Sequence, residues 1–176
     1  MASRLSQKTK ALALSALLCS LGVILLYLGA LIEVLDLSAA ALASLLVMIA
    51  VIELGGWYPY LIYAVTSLLA LLLLPAKFPA AIYLLLAGYY PILKAALEKL
   101  RRPRLAWLVK LLVFNAALTL VLLGATYLLT GDDAFLWSSA PMWYALANPT
   151  FVLFDVALTR LIIVYRIKLR KRLGFR

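Results

Sequence analysis

Long apolar runs separated by short polar connections constrain this chain more than any other feature of its sequence. We place these runs at about residues 11–32, 38–54, 57–74, 80–97, 105–129 and 142–165. A helix of about 20 apolar residues crosses the hydrocarbon core of a bilayer. Of the 176 residues, 67% are hydrophobic and 14% charged, whereas about a quarter of an average soluble domain is charged. The sequence predicts an all-α integral membrane protein, a compact bundle of six transmembrane helices in one domain over residues 1–176.

Basic residues gather in three clusters: before the first apolar run, around the connection between the fourth and fifth runs, and after the sixth. The clusters are Arg4, Lys8 and Lys10; Lys94, Lys99, Arg101, Arg102, Arg104 and Lys110; and the basic residues of the tail 166–176. Because Lys and Arg are enriched in cytoplasmic connections, this layout predicts that both termini are cytoplasmic. The expected location is a bacterial or archaeal cell membrane. The net charge of +10 lies at helix ends, so we expect membrane lipid and no nucleic acid among the partners.

The residue inventory argues against an enzyme. The chain has no histidine and one cysteine, Cys19, so it offers no Ser-His-Asp triad and none of the usual zinc or haem ligand sets. A glycine-rich phosphate loop is also absent, so active transport would need energy from another protein. We therefore predict no catalytic activity, no cofactor and no metal site.

Small residues follow one line of the first run, which we expect to be retained as a helix and not cleaved as a signal peptide. Ala11, Ser15 and Cys19 recur at four-residue spacing. Small residues at this spacing let a second helix approach closely. The line is either a surface for a partner protein or a packing face within the chain.

Three features predict local breaks. Ser38 is a candidate N-cap for the second helix. The segment Gly88-Tyr89-Tyr90-Pro91 predicts a kink in the fourth, since proline removes a helical hydrogen bond. Thr130 to Pro141 is the longest predicted loop.

The sixth run carries the one polar stripe in the chain. Asn148, Asp155 and Thr159 share a helix face, and Tyr144 lies one turn further out. Asp155 lies roughly 16 Å from the basic end of its helix, at about the depth of Asn115 on the fifth.

Two interpretations of this stripe remain open. In the first, the stripe binds a polar ligand, and Asn148-Pro149 opens the helix locally. In the second, a hydrogen bond between Asp155 and Asn115 joins the fifth and sixth helices. We expect the side chains of Lys110 and Arg160 to reach the inner surface.

A resemblance extends this interpretation. Leu35-Asp36-Leu37-Ser38, followed by an alanine-rich helix and by Gly55-Gly56, is similar to a stretch of the substrate-binding S components of energy-coupling factor vitamin transporters. The number of helices and the basic tail also resemble that family.

The resemblance implies that the chain captures a small vitamin-like molecule from outside. The pocket would lie among helices four to six and the loop after helix one, which adds Asp36 to the expected substrate-binding residues Asp155, Asn148, Tyr144 and Asn115. A coupling module of one membrane subunit and two ATPases would drive release inward, docking on Ala11, Ser15 and Cys19.

Two other functions compete with substrate capture. A multi-pass scaffold protein of the cell envelope would use its helix faces and basic tail for partners and would need no cavity. A lipid-modifying enzyme would require paired carboxylates or a histidine near the interface, and the sequence does not provide them.

Overall fold

A computed structural model describes residues 2–100, 102–129 and 133–169, with side chains described for 8–32, 34–100, 102–124 and 140–167. The described residues form helices and short connections, without strands. Their bounds are α1 Ala2–Leu31, α2 Asp36–Glu53, α3 Tyr58–Leu73, α4 Lys77–Ile82, α5 Tyr90–Leu97, α6 Pro103–Leu129 and α7 Asp133–Val164. Short 3-10 and π segments extend them at Glu33–Leu35, Tyr83–Ala87 and Tyr165–Leu169. With α4, its π segment and α5 taken together, the described chain has the six predicted helical segments.

Four of these segments are long and apolar enough to cross a membrane. They are Lys8–Leu31, Asp36–Glu53, Lys77–Leu97 and Pro103–Gly124, and the apolar helix Tyr58–Leu73 is shorter. The predicted all-helical architecture is therefore confirmed, and four of its helices could cross a membrane by length and composition.

The chain divides into two compact units, Met1–Ala106 and Trp107–Arg176, where the sequence predicted one domain. In the first unit α2 is central, because it packs against α1, α3, α4 and α5. Its buried face is made mostly of small residues: Ala39, Ala40, Ala43, Ser44, Val47, Met48 and Ala50. Lipid is as apolar as leucine, so close backbone approach over small residues, with the van der Waals contacts it allows, stabilises such packing.

Two connections of the first unit show how the helix ends are satisfied. Gly55 and Gly56, between α2 and α3, have φ angles of 60° and 54°, a left-handed conformation that glycine adopts without a Cβ clash. After α3, Lys77 Nζ donates to the carbonyl oxygens of Leu71 and Leu74, both at 2.8 Å. These bonds satisfy carbonyls that a helix leaves unpaired at its C-terminus.

The predicted kink near Pro91 is present and begins earlier than expected. The chain forms a π segment over Tyr83–Ala87, closed by the Gly88 N–H on the Tyr83 carbonyl at 2.7 Å, and α5 then starts at Tyr90. The Tyr63 hydroxyl donates to the Leu84 carbonyl at 2.8 Å, which gives this part of the irregular segment a partner from α3.

Two boundary predictions are wrong. Helix α2 begins at Asp36 after the short 3-10 turn, so Ser38 lies inside the helix and does not cap it. Helix α7 begins at Asp133, so the predicted loop to Pro141 is largely helical, and Pro141 is accommodated within α7. Residues 130–132, Arg101 and the tail residues 170–176 lie outside the described chain.

Gly29 on α1 provides a test of the close approach to α2. A Cβ added at Gly29 would overlap the Cβ of Ala39, whereas one at Gly124 on α6 would meet nothing within 4 Å. We expect Gly29→Ala to lower the free energy of unfolding by about 1–3 kcal/mol, as overpacked sites do. Thermal unfolding of the purified protein measures the change.

Two comparisons control this experiment. Gly124→Ala should be neutral or slightly stabilising because alanine favours helix. Adding Ala39→Gly to the Gly29→Ala variant should restore part of the loss. A stable Gly29→Ala variant would contradict the close packing of α1 on α2.

Candidate functional site

Helices α6 and α7 of the second unit carry three polar side-chain pairs across the line where they meet. The pairs are Lys110–Asp155, Asn115–Asn148 and Thr119–Tyr144, which we call the polar ladder. Residue numbers rise along α6 as their partners' numbers fall along α7, so the two helices form an antiparallel hairpin. At about 1.5 Å per residue, the α6 side of the ladder extends over about 13 Å. The hydrocarbon core of a bilayer is about 30 Å thick, so the α6 side of the ladder is almost half as long as a membrane span.

The pair nearest the start of α6 is a buried ion pair. Lys110 Nζ lies 3.0 Å from Asp155 Oδ1, and the two residues are 4% and 3% exposed. Lys110 Nζ also lies 5.1 Å from the centre of the Trp107 ring, within the range of a cation–π interaction. The ammonium group is thus held by a carboxylate and by an aromatic face.

The second pair is a reciprocal amide contact. Asn115 Nδ2 donates to Asn148 Oδ1 at 3.0 Å, and Asn148 Nδ2 donates to Asn115 Oδ1 at 3.1 Å. The same two amide nitrogens also donate within their own helices, Asn115 to the Leu111 carbonyl and Asn148 to the Tyr144 carbonyl. Each amide nitrogen therefore donates one hydrogen bond to the other asparagine and one to a carbonyl of its own helix, and together these two bonds fix the side-chain rotamer.

The third pair and an aromatic contact complete the hairpin. Thr119 Oγ1 and the Tyr144 hydroxyl are 2.6 Å apart. Between the ion pair and the amide pair, the rings of Phe114 and Phe151 stack with centroids 4.2 Å apart and an interplanar angle of 15°. The stack places apolar surface between two polar layers, which separates the ion pair from the amides.

The ladder corrects two predictions about its members. One interpretation joined Asn115 to Asp155, and Asn115 instead meets Asn148, which lies about two helical turns before Asp155 on α7. Lys110 was expected to extend to the inner surface, and it is buried against Asp155. Arg160 is exposed.

Residue depth alone could not distinguish neighbouring turns, and sequence reasoning did not single out Thr119, Phe114 or Trp107. The available signal was charge: a lysine and an aspartate lie in two consecutive apolar helices, and each requires a counter-charge.

Other predicted features of the stripe have local roles. Thr159 Oγ1 donates to the Asp155 carbonyl at 2.8 Å within α7. The expected opening of the helix at Asn148-Pro149 is not seen, because α7 continues through Pro149. Asn148 therefore contacts α6 through its side chain and does not open the backbone of α7.

Asp36 belongs to the first unit, away in sequence from the four other predicted ligand contacts. It is the first residue of α2, where a carboxylate interacts favourably with the positive end of the helix dipole.

Of the two interpretations of the small-residue line on helix one, burial favours packing within the chain. Ser15 is 3% exposed and Cys19 is 6% exposed, and Cys19 Sγ lies 3.8 Å from the Ile62 carbonyl of α3. Ser15 donates to the Ala11 carbonyl at 2.8 Å. Side chains buried within the chain are not available to another protein, so Ser15 and Cys19 form a packing face; Ala11 lies at its half-buried edge.

Comparisons of the chain with protein family models, with curated proteins and with solved structures find no match. Among the described residues, no group of three or more His, Cys, Asp or Glu side chains could hold a metal ion. The interpretation of the polar ladder therefore rests on its own chemistry.

Removing one charge of the ion pair should be more damaging than removing both. Asp155→Asn leaves a buried lysine without its carboxylate, and Lys110→Met leaves the aspartate alone. We expect either change to lower the free energy of unfolding by about 3–5 kcal/mol, whereas Lys110→Met with Asp155→Leu should lose much less. Thermal and denaturant unfolding measure these differences, with Arg160→Gln as an exposed control on α7. Single variants as stable as the wild type would rule out an energetically coupled pair.

The amide pair should show a measurable coupling of its own. A double-mutant cycle on Asn115→Ala and Asn148→Ala is expected to give an interaction energy of about 0.6–2 kcal/mol, the range for polar contacts between membrane helices. Thr150→Ala is the control, because the exposed Thr150 hydroxyl donates to the Leu146 carbonyl of its own helix. Strictly additive effects of the two asparagine changes would contradict the reciprocal contact.

Proposed function

We propose that this chain is a substrate-capture subunit of a transporter in the cell membrane. It binds a small, polar, vitamin-like molecule from outside, and separate ATPase subunits drive uptake. The observation that carries the proposal is the ion pair between Lys110 and Asp155 within an apolar helical hairpin.

An ion pair is an expensive way to join two helices. Removing two charges from water costs several kcal/mol per ion, and replacing a buried pair by packed apolar residues is often neutral or stabilising. The amide pair and the Thr119–Tyr144 contact already provide polar links between α6 and α7. Ionisable groups inside membranes commonly mark substrate or ion pathways, so Lys110 and Asp155 are the first candidates for ligand contact.

The rest of the chain supports capture followed by transport driven from elsewhere. The three basic clusters favour cytoplasmic termini, and the acidic residues Glu33 and Asp36 then lie on the outer side. The chain has no nucleotide-binding loop, which is why the proposal includes separate ATPases. The resemblance to S components of energy-coupling factor transporters favours the same division of labour.

A second function is favoured by a different observation. Every side chain of the polar ladder has a hydrogen-bond partner within the hairpin, so the ladder requires no ligand to satisfy its polar groups. A non-catalytic scaffold protein of the cell envelope would use the ladder only to fix the hairpin. The two functions differ in whether the ladder opens for a ligand.

The deciding measurement is mass spectrometry of small molecules released when the detergent-purified protein is denatured. A capture subunit should release one vitamin-like compound in a stoichiometric amount. The Lys110→Met/Asp155→Leu variant should remain folded and release none, whereas Arg160→Gln should retain the compound. The absence of a compound from wild-type protein, together with normal partner assembly by the double variant, would favour the scaffold.

A further inference from the structure

The two charges of the polar ladder are opposite and adjacent, and both are nine-tenths buried or more. Lys110 Nζ and Asp155 Oδ1 are 3.0 Å apart on facing helices. From this arrangement we infer that the ladder selects a zwitterionic substrate, one that carries a cationic and an anionic group close together. The inference rests on the proposed capture function and names the chemical class of the substrate.

Charge balance in a medium of low dielectric constant carries the inference. A solute that reaches the pair must separate the ammonium group of Lys110 from the carboxylate of Asp155. A simple cation would satisfy Asp155 and leave Lys110 uncompensated, and a simple anion would do the reverse. Each uncompensated charge inside a protein is strongly unfavourable. A zwitterion supplies both partners, so the site remains neutral before and after exchange.

Neighbouring groups fit such an exchange. Trp107 lies beside the Lys110 ammonium group at 5.1 Å and attracts it independently of Asp155, so the lysine retains one favourable contact while the ion pair separates. The stacked rings of Phe114 and Phe151 provide an apolar wall next to the charges. Beyond them, the reciprocal amide contact of Asn115 and Asn148 holds the two helices together while the ion pair separates.

One molecular skeleton in three charge states tests the selection. The probes are L-phenylalanine, which is zwitterionic, 2-phenylethylamine, which is a cation, and 3-phenylpropanoate, which is an anion. Binding is measured by equilibrium dialysis on the full-length wild-type protein in detergent. We expect L-phenylalanine to bind at least about tenfold more tightly than either singly charged probe, a difference of about 1.4 kcal/mol. Equal binding of the three, tighter binding of a singly charged probe, or no binding of any overturns the inference.

Charge variants give a second, directional readout. Asp155→Asn retains the lysine charge and should shift the preference towards 3-phenylpropanoate, whereas Lys110→Met should shift it towards 2-phenylethylamine. Because these single variants are expected to be less stable, the exchanged pair Lys110→Asp/Asp155→Lys is measured as well. It remains neutral and should retain the preference for the zwitterion. An unchanged preference in a folded single variant, or its loss in a folded exchanged variant, overturns the inference.

The failure of this inference can be distinguished from failure of the capture function. If the purified protein releases a stoichiometric compound that carries one charge or none, capture stands and zwitterion selection is wrong. If it releases no compound and binds none of the three probes, both fail.

Discussion

Polar groups inside a lipid-facing helical protein must find their partners within the protein, and the contacts between α6 and α7 meet this constraint. Its clearest expression is the ion pair between Lys110 and Asp155, each of which would be strongly unfavourable alone. The same requirement explains smaller features, such as Lys77 on the last carbonyls of α3 and Tyr63 on the irregular segment after α4.

The two units meet this constraint in different ways. In the first, α2 packs its alanine-rich face against several helices, and side chains such as Ser15, Ser44 and Tyr63 donate to backbone carbonyls. In the second, α6 and α7 are joined by side-chain hydrogen bonds and charge. A hairpin joined by directional contacts has one favoured register, because sliding by one residue would separate all three polar pairs. The polar ladder therefore specifies how α6 and α7 align as well as how strongly they associate.

Joining helices and recognising a substrate are compatible roles for the ladder. The amide pair and the Thr119–Tyr144 contact are suited to a fixed register, because they are neutral and can remain closed. The ion pair contributes little net stability relative to apolar packing, yet it responds strongly to charge. A site that is neutral and closed without substrate can remain within an apolar hairpin at modest cost, and it can favour solutes that preserve neutrality.

The sequence by itself determined the helical architecture, because a continuous run of about 20 apolar residues satisfies all of its backbone hydrogen bonds in lipid as a helix. It also identified the kink before Pro91 and the polar residues Asp155, Asn148 and Tyr144 as one face of a helix, since periodicity along a single helix is a local property. Only the tertiary structure decided that Lys110 pairs with Asp155, that Asn115 pairs with Asn148, and that Ser15 and Cys19 are buried. These outcomes depend on helix register and on which face meets a neighbour, and a shift of one helical turn, about 5.4 Å, changes both without changing the apolar pattern.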